Sequence, residues 1–230
     1  MITVHHLETS RSQRILWLLE ELGTSYEIKR YARDPKSRLA PAELKAIHPL
    51  GKSPVITDGK LVIAESGAII EYLSETYSDK SANTDLKFLQ PEKGSEASRQ
   101  NRFWMHYAEG SLMNWLVMKL VFSSIPTQPM PFFVKPIARG ICNAVMAKLI
   151  DPNINTAMPF IDNHLGKNQW FCGDQMSMAD FQMSFAIEAL LMRASTQTRY
   201  VNIEAFKERI NARPAYQRAI QKGGPVVMSK

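Results

Sequence analysis

The stretch 48–77 leaves the chain few options. Val55 and Ile56 are β-branched and lead to Asp58-Gly59, a dipeptide suited to the positive-φ positions of a tight turn, after which Leu61, Val62 and Ile63 form a second apolar run. That pattern predicts a β-hairpin. Glu65-Ser66-Gly67 interrupts it, and Ala68, Ile69, Tyr72 and Leu73 then recur at helical spacing, with Ser66 as the predicted N-cap. Pro54 stands where the first strand should begin, a position that tolerates a missing N–H and in which a cis bond would turn the chain sharply; the isomer itself is not written in the sequence. Past Ala64, free N–H groups and the positive end of a helix dipole favour a carboxylate or phosphate. Glu65-Ser66 therefore reads either as an ordinary cap or as a docking point for an anionic ligand.

Upstream, Met1–Leu7 alternates through Ile2, Val4 and Leu7 and predicts a first strand. Thr9-Ser10-Arg11-Ser12 precedes an apolar helical face, Ile15, Leu16, Leu18, Leu19 and Leu22, stopped by Gly23, with Ser10 or Ser12 as N-cap. Tyr26–Tyr31 predicts a second strand and Pro41–Ile47 a short helix. A β-α-β unit followed by β-β-α predicts a four-stranded mixed sheet.

Ser78–Glu96 is polar and reads as a linker running into a new helix, and no strand pattern follows it. Helices are expected from Phe103 to Val121, Val134 to Ile150, Ile154 to Leu165, Ile203 to Arg213 and Ala215 to Lys222, the last ended by Gly223-Gly224-Pro225. Ser123–Pro136 holds four prolines and two phenylalanines and predicts a packed, irregular connection. A further helix starts at Ser177, where Asp180 can reach back in capping-box fashion and Met176 and Phe181 occupy the staple positions. Phe181, Phe185, Ala186, Ala189 and Leu190 make it apolar around much of its circumference, so it belongs in the middle of the helical half.

With 230 residues, 45% of them hydrophobic, the chain can bury one large core or two small ones. Its net charge of +6 favours anionic ligands, but Lys and Arg are scattered among acids, so no nucleic acid is expected as partner. No apolar run approaches the roughly 20 residues of a membrane span, and Met1–Leu7 is no signal peptide; a cytoplasmic protein without a membrane partner is expected. Cys142 and Cys172 lie far apart outside any C-x-x-C pair and read as core thiols, with no cysteine metal site.

Taken together, G-K-S-P-V-I, A-E-S-G-A-I-I-E-Y-L and F-C-G-D-Q-M-S-M-A-D-F make the chain resemble a cytosolic glutathione S-transferase, and H-L-E-T-S-R-S-Q-R-I-L-W-L-L-E-E-L-G is similar to the serine-type bacterial and fungal branch. The resemblance implies an α/β thioredoxin-like domain over residues 1–80, an all-α domain over 92–230, glutathione as co-substrate, no metal, and a homodimer. Pro54 matches the family's cis-proline, and Ser53 would offer its main chain to the cysteinyl part of glutathione as an added strand does. Glu65 and Ser66 match the pair that holds the γ-glutamyl end, and Lys52 a position near the glycyl carboxylate.

The chemistry implied is thiol activation, because the thiolate is the nucleophile and a free thiol with a pKa of about 8.5 is mostly protonated at neutral pH. A hydroxyl donating to sulfur beside a helix N-terminus lowers that pKa without a base. Ser10 is the first choice, four residues before Arg14 as in the serine-type pattern, with Ser12 and then Thr9 as competitors. The first strand ends in His5-His6-Leu7 without the tyrosine of the tyrosine-type enzymes, and no cysteine stands among the hydroxyls. Conjugation to hydrophobic electrophiles, with peroxidase-type reduction as a side activity, is therefore expected ahead of thiol transfer. His106, Tyr107, Met113 and Glu109 border the electrophile pocket on this reading, or else are core. The alternative activity is none: a ligand carrier or regulatory protein of the same fold.

Overall fold

The computed structural model describes residues 1–224 except 36, 38 and 194–197, so Pro225 lies outside the described residues. β1 (Ile2–Leu7) is the hub of the sheet. β2 (Tyr26–Tyr31) pairs with it in parallel, β3 (Val55–Asp58) antiparallel, and β4 (Leu61–Ala64) antiparallel to β3, giving the order β2-β1-β3-β4. Gly59, at φ +58, makes the hairpin turn where Asp58 faces Leu61. A parallel pair requires a crossover, and α1 (Ser12–Leu22) supplies it, ending at Gly23 in the left-handed region with its N–H on the Leu19 carbonyl. α2 (Ala42–Ile47) and α3 (Ser66–Tyr77) complete this half.

Every residue of α1 is buried, since α3 and the sheet flank it within its own half while two helices of the second half cover it from outside. Its apolar face is worth about 1.5–3 kcal/mol for each of Ile15, Leu16, Leu18 and Leu19. Trp17 joins the two halves: its ring lies 4.2 Å from that of Phe181 and 5.5 Å, edge-on, from that of Tyr216.

The second half is helical. α4 (Glu96–Tyr107) passes through a π turn at Ala108–Leu112 into α5 (Met113–Ser124), so the expected long helix is one rod, opened by Ser95 Oγ accepting the Ser98 N–H at 3.1 Å. α6 (Val134–Val145) likewise passes through a π turn at Met146–Ile150 into α7 (Asp151–Leu165). The break expected between Ile150 and Ile154 is therefore absent. The wider π turn precedes Pro152, which has no N–H to give, and Asn153 Nδ2 donates instead to the Leu149 carbonyl at 2.7 Å.

The proline-rich connection is also not packed as expected. After a short 3₁₀ turn at Ile125–Thr127 it runs largely exposed, with Phe132 at 85% and Phe133 at 62% and their rings edge-on to each other, since α6 beyond them is itself a surface helix that buries only Cys142. α8 (Met178–Arg193) does run through the middle, with nearly every side chain from Met178 to Leu190 buried. Asp180 organises its start: Oδ2 accepts the Ser177 N–H at 2.8 Å and the Ser177 hydroxyl at 3.0 Å, and Oδ1 accepts the Phe171 N–H at 2.8 Å. This is the reaching-back half of a capping box. Burial pushes the Asp180 carboxyl up to about 6 against the pull of those donors. α9 (Val201–Asn211) and α10 (Pro214–Gly223) close the chain. α10 is pinned along α1 by Glu20, which takes Arg218 at 2.7 Å and Lys222 at 2.5 Å, and by Glu21, which takes Arg213 at 2.9 Å.

Candidate active site

Three chain reversals meet at one end of the sheet. After β1 the chain turns at Thr9, φ +46, and Ser10 points inward; before β3 it turns at the cis Ser53–Pro54 bond; after β4 it turns at Glu65, φ +72. A positive φ is uncommon outside glycine, and two such residues here lie among the hydroxyls the sequence picks out.

Ser10 Oγ lies 2.7 Å from Ser12 Oγ and 3.2 Å from Ser53 Oγ, and it accepts the Ser12 N–H at 3.3 Å. Ser53 Oγ in turn donates to the His5 carbonyl at 3.2 Å and accepts the Leu7 N–H at 3.4 Å. Segments more than 40 residues apart thus share one hydroxyl cluster. Neither Ser10 nor Ser12 is the N-cap itself: α1 begins at Ser12, Arg11 flanks it, and Ser10 takes a helix N–H from one position further out. Among the described residues, no other main-chain group bonds the N–H or C=O of Ser53. Pro54 is buried beside it and Lys52 is exposed.

Ser66 is not the N-cap either. It is the first residue of α3 and buried, while exposed Glu65 flanks the helix without a side-chain cap bond. The Ser66 hydroxyl is turned away from its own helix and receives Arg14 Nη1 at 3.3 Å. The first-turn N–H groups of α3 therefore have no side-chain acceptor from their own chain segment.

Arg14 is wholly buried. Its Nη1 donates to Glu109 Oε1 at 2.9 Å and Gln182 Oε1 at 2.8 Å as well as to Ser66, while Nε and Nη2 have no hydrogen-bond partner among the described residues. Burial pulls this guanidinium down to about 10, with Glu109 acting the other way. Glu109 Oε2 also lies 2.9 Å from Arg11 Nε, a close ion pair whose N–H is not aimed at the oxygen, and both guanidiniums sit over the Phe185 ring. Sequence reading had Arg14 only as a spacing partner and Glu109 only as a pocket wall. An arginine inside the buried face of a helix signals that an acid must come from elsewhere, but not from where. Gln182 and His6 carried no such signal.

His6 lies beneath the hydroxyls: Nδ1 is 2.8 Å from Ser12 Oγ and Nε2 is 2.8 Å from the Gly223 carbonyl. Burial is the largest influence on it and lowers its pKa. His5 points to the other face of the sheet, to Tyr31 and Thr57.

His106 and Tyr107 line an open cavity of about 530 Å³ with Arg99, Arg102, Phe103, Gly110 and Ser111, and none of the clustered hydroxyls lines it. Met113, 3% exposed, is in the hydrophobic core and does not line it either.

Comparison with known proteins bears on this geometry. Residues 1–75 match the family model for the glutathione S-transferase N-terminal domain, and residues 143–214 that for the C-terminal domain. Glutathione S-transferase 3 of Schizosaccharomyces pombe is 37% identical over 224 residues, covering 96% of this chain and 88% of the relative. Glutathione S-transferase 1 of Saccharomyces cerevisiae is 32% identical over 200 residues, covering 84% and 82%. A crystal structure of a glutathione S-transferase from Actinobacillus pleuropneumoniae superposes with a TM-score of 0.76 at 31% identity, covering 97% of this chain and 93% of that one.

Proposed function

Because the chain belongs to the glutathione S-transferase family, with a thioredoxin-like first half and a helical second half, we propose that Ser10 is the hydroxyl that activates the thiol of glutathione for attack on a hydrophobic electrophile. The chain is a glutathione transferase; the residues, the electrophile and the setting are the proposal. What carries it is one juxtaposition: Ser10 Oγ stands 3.2 Å from the Ser53 hydroxyl, beside the main chain that precedes the cis-proline.

On this reading glutathione lies along the end of the sheet as a short added strand. The Ser53 N–H and C=O take its cysteinyl part, the Glu65 carboxylate its ammonium, Ser66 and the first turn of α3 its γ-glutamyl carboxylate, and Lys52 its glycyl carboxylate. The positive φ of Glu65 supports this, since it leaves the helix start open instead of capped. The sulfur then meets Ser10, which donates a hydrogen bond to the thiolate and lowers the pKa of the thiol.

On this reading the electrophile lies against His106 and Tyr107, and Met113, a core residue, does not touch it. Replacement of His106 and Tyr107 by alanine is expected to raise KM for the electrophile and leave that for glutathione unchanged. We also read the protein as a cytoplasmic homodimer acting in detoxification, with the half-exposed Leu61 and Val62 of edge strand β4 toward the partner copy. Light scattering showing a monomer at micromolar concentration overturns the dimer.

The direct test is a steady-state assay with glutathione and a chlorodinitrobenzene-type electrophile. Ser10→Ala should lower kcat/KM about a hundredfold, the effect of removing one donor to a developing anion, with glutathione still bound. An unchanged rate moves the role away from Ser10. A wild-type protein that binds glutathione but is inert across a panel of electrophiles is a carrier.

A further inference from the structure

The hydrogen bonds beneath Ser10 have a direction. The Gly223 carbonyl can only accept, so His6 Nε2, 2.8 Å away, carries a proton and donates it. Burial lowers the pKa of His6, so in the ligand-free protein the ring is neutral and Nδ1 is a lone pair. Ser12 Oγ, 2.8 Å from Nδ1, must then donate its single proton there. With that proton committed, Ser12 Oγ can only accept from Ser10 Oγ at 2.7 Å. The Ser53 hydroxyl, itself donating to the His5 carbonyl, is a second acceptor for the Ser10 proton at 3.2 Å, and the shorter contact to Ser12 completes a series of donors that points away from the site and toward the ring.

We propose that Ser10, Ser12 and His6 form a proton relay through which the thiol of bound glutathione is deprotonated, with His6 as the terminal proton acceptor. The thiol proton passes to Ser10 Oγ, the Ser10 proton to Ser12 Oγ, and the Ser12 proton to His6 Nδ1. No net atom is gained or lost: a neutral thiol and a neutral imidazole become a thiolate and an imidazolium. Afterwards every group is satisfied, for His6 Nδ1–H donates to Ser12, Ser12 to Ser10, and Ser10 to the sulfur, while Nε2–H stays on Gly223. The carbonyl that receives it closes the last turn of α10, the negative end of a helix dipole, which favours a cation there. The charged group opposing this is Arg30 on β2, whose guanidinium is bonded to the Lys222 carbonyl on the same helix end. His6 and Ser12 touch neither sulfur nor electrophile and act through Ser10 as positioning residues, so the inference rests on the placement of glutathione proposed above.

The test needs no variant at its centre. Nitrogen NMR of the imidazoles in the wild-type protein should show His6 as the neutral Nε2–H form without ligand and as imidazolium once glutathione is bound near neutral pH. S-methylglutathione, which has no thiol proton, should leave it neutral. His6→Asn, which keeps an acceptor but cannot take up a proton, identifies the resonance. With Ser12→Ala, it should also raise the pKa of bound thiol, read from the ultraviolet thiolate band, by about one unit, and move the acid limb of the kcat/KM profile up by as much. Glutathione affinity by calorimetry should stay within about twofold, since one unit of pKa concerns the proton and not the peptide contacts. A His6 ring that remains neutral with glutathione bound overturns the relay, and so does a bound-thiol pKa that rises in Ser10→Ala alone. If wild-type protein binds no glutathione, or Ser10→Ala leaves the thiol pKa where it was, it is the underlying site assignment that falls.

Discussion

Two helix starts in this molecule use nearly the same residues for opposite ends. At α8, Ser177 and Asp180 close on themselves, and one carboxylate takes two main-chain N–H groups and a hydroxyl with nothing left over. At α3, Glu65 and Ser66 do not cap: the acid is exposed at a positive φ, the serine is held by Arg14 from another helix, and the first-turn N–H groups have no side chain of their own. A serine and an acid near a helix N-terminus therefore do not specify a role. Spacing does, because an acid three residues inside the helix can reach back, whereas one placed just before it can only face outward.

If that division holds, the two starts should fail differently. The largest effect is expected at Asp180→Ala, which strands the N–H groups of Phe171 and Ser177 in the interior. A loss of about 3 kcal/mol or more in a denaturant titration, with glutathione affinity unchanged in what remains folded, is the expected outcome. A variant that unfolds normally but loses glutathione would erase the distinction. Ser66→Ala should do the reverse, weakening glutathione about tenfold by calorimetry, some 1.4 kcal/mol, while stability moves by less than that. At Glu65 the backbone and the carboxylate can be separated. Glycine there should be more stable than alanine by about 1 kcal/mol because of the positive φ, with both losing glutathione equally.

The smallest effect concerns the helix that ends beneath the site. Glu20 is pushed up by burial, but Lys222, Tyr26 and Arg218 more than offset this and its pKa is lowered on balance. A carboxylate with a lowered folded-state pKa contributes stability above its unfolded value and loses it as pH falls through the folded one. Glu20→Gln should cost about 1 kcal/mol or less at neutral pH, since the Arg218 and Lys222 side chains that hold it are half exposed, and the gap to wild type should close below about pH 4. A gap that persists in acid would mean the residue acts by packing alone.

The same contrast explains what was legible beforehand. The hairpin, the Gly23 stop and the start of α8 are set by residues within a few positions of one another, and local chemistry is what a sequence displays. The caps at α1 and α3 fall one residue from the serines the sequence points to, because the Ser66 hydroxyl bonds across the fold to Arg14, and Ser10 reaches across it to Ser53 while taking the Ser12 N–H from one position outside the cap. Continuity through Pro152 depends on a π turn that no periodicity announces. The buried Arg14–Glu109–Gln182 group joins three helices, and its members are recognisable only once those helices are side by side. The position before an apolar helix leaves Ser10 and Ser12 open, and only the resemblance of the spacing to Arg14 to the serine-type pattern singles out Ser10; the order of the hydroxyls follows from a histidine on the strand and the Gly223 carbonyl of α10.

His6 and the carbonyl it donates to are 217 positions apart. A ribosome must therefore deliver α10 before β1 can acquire its full set of bonds, however early the sheet assembles on its own. Catalytic competence in a growing chain should lag behind ligand-ready folding of the first half until α10 has emerged and docked.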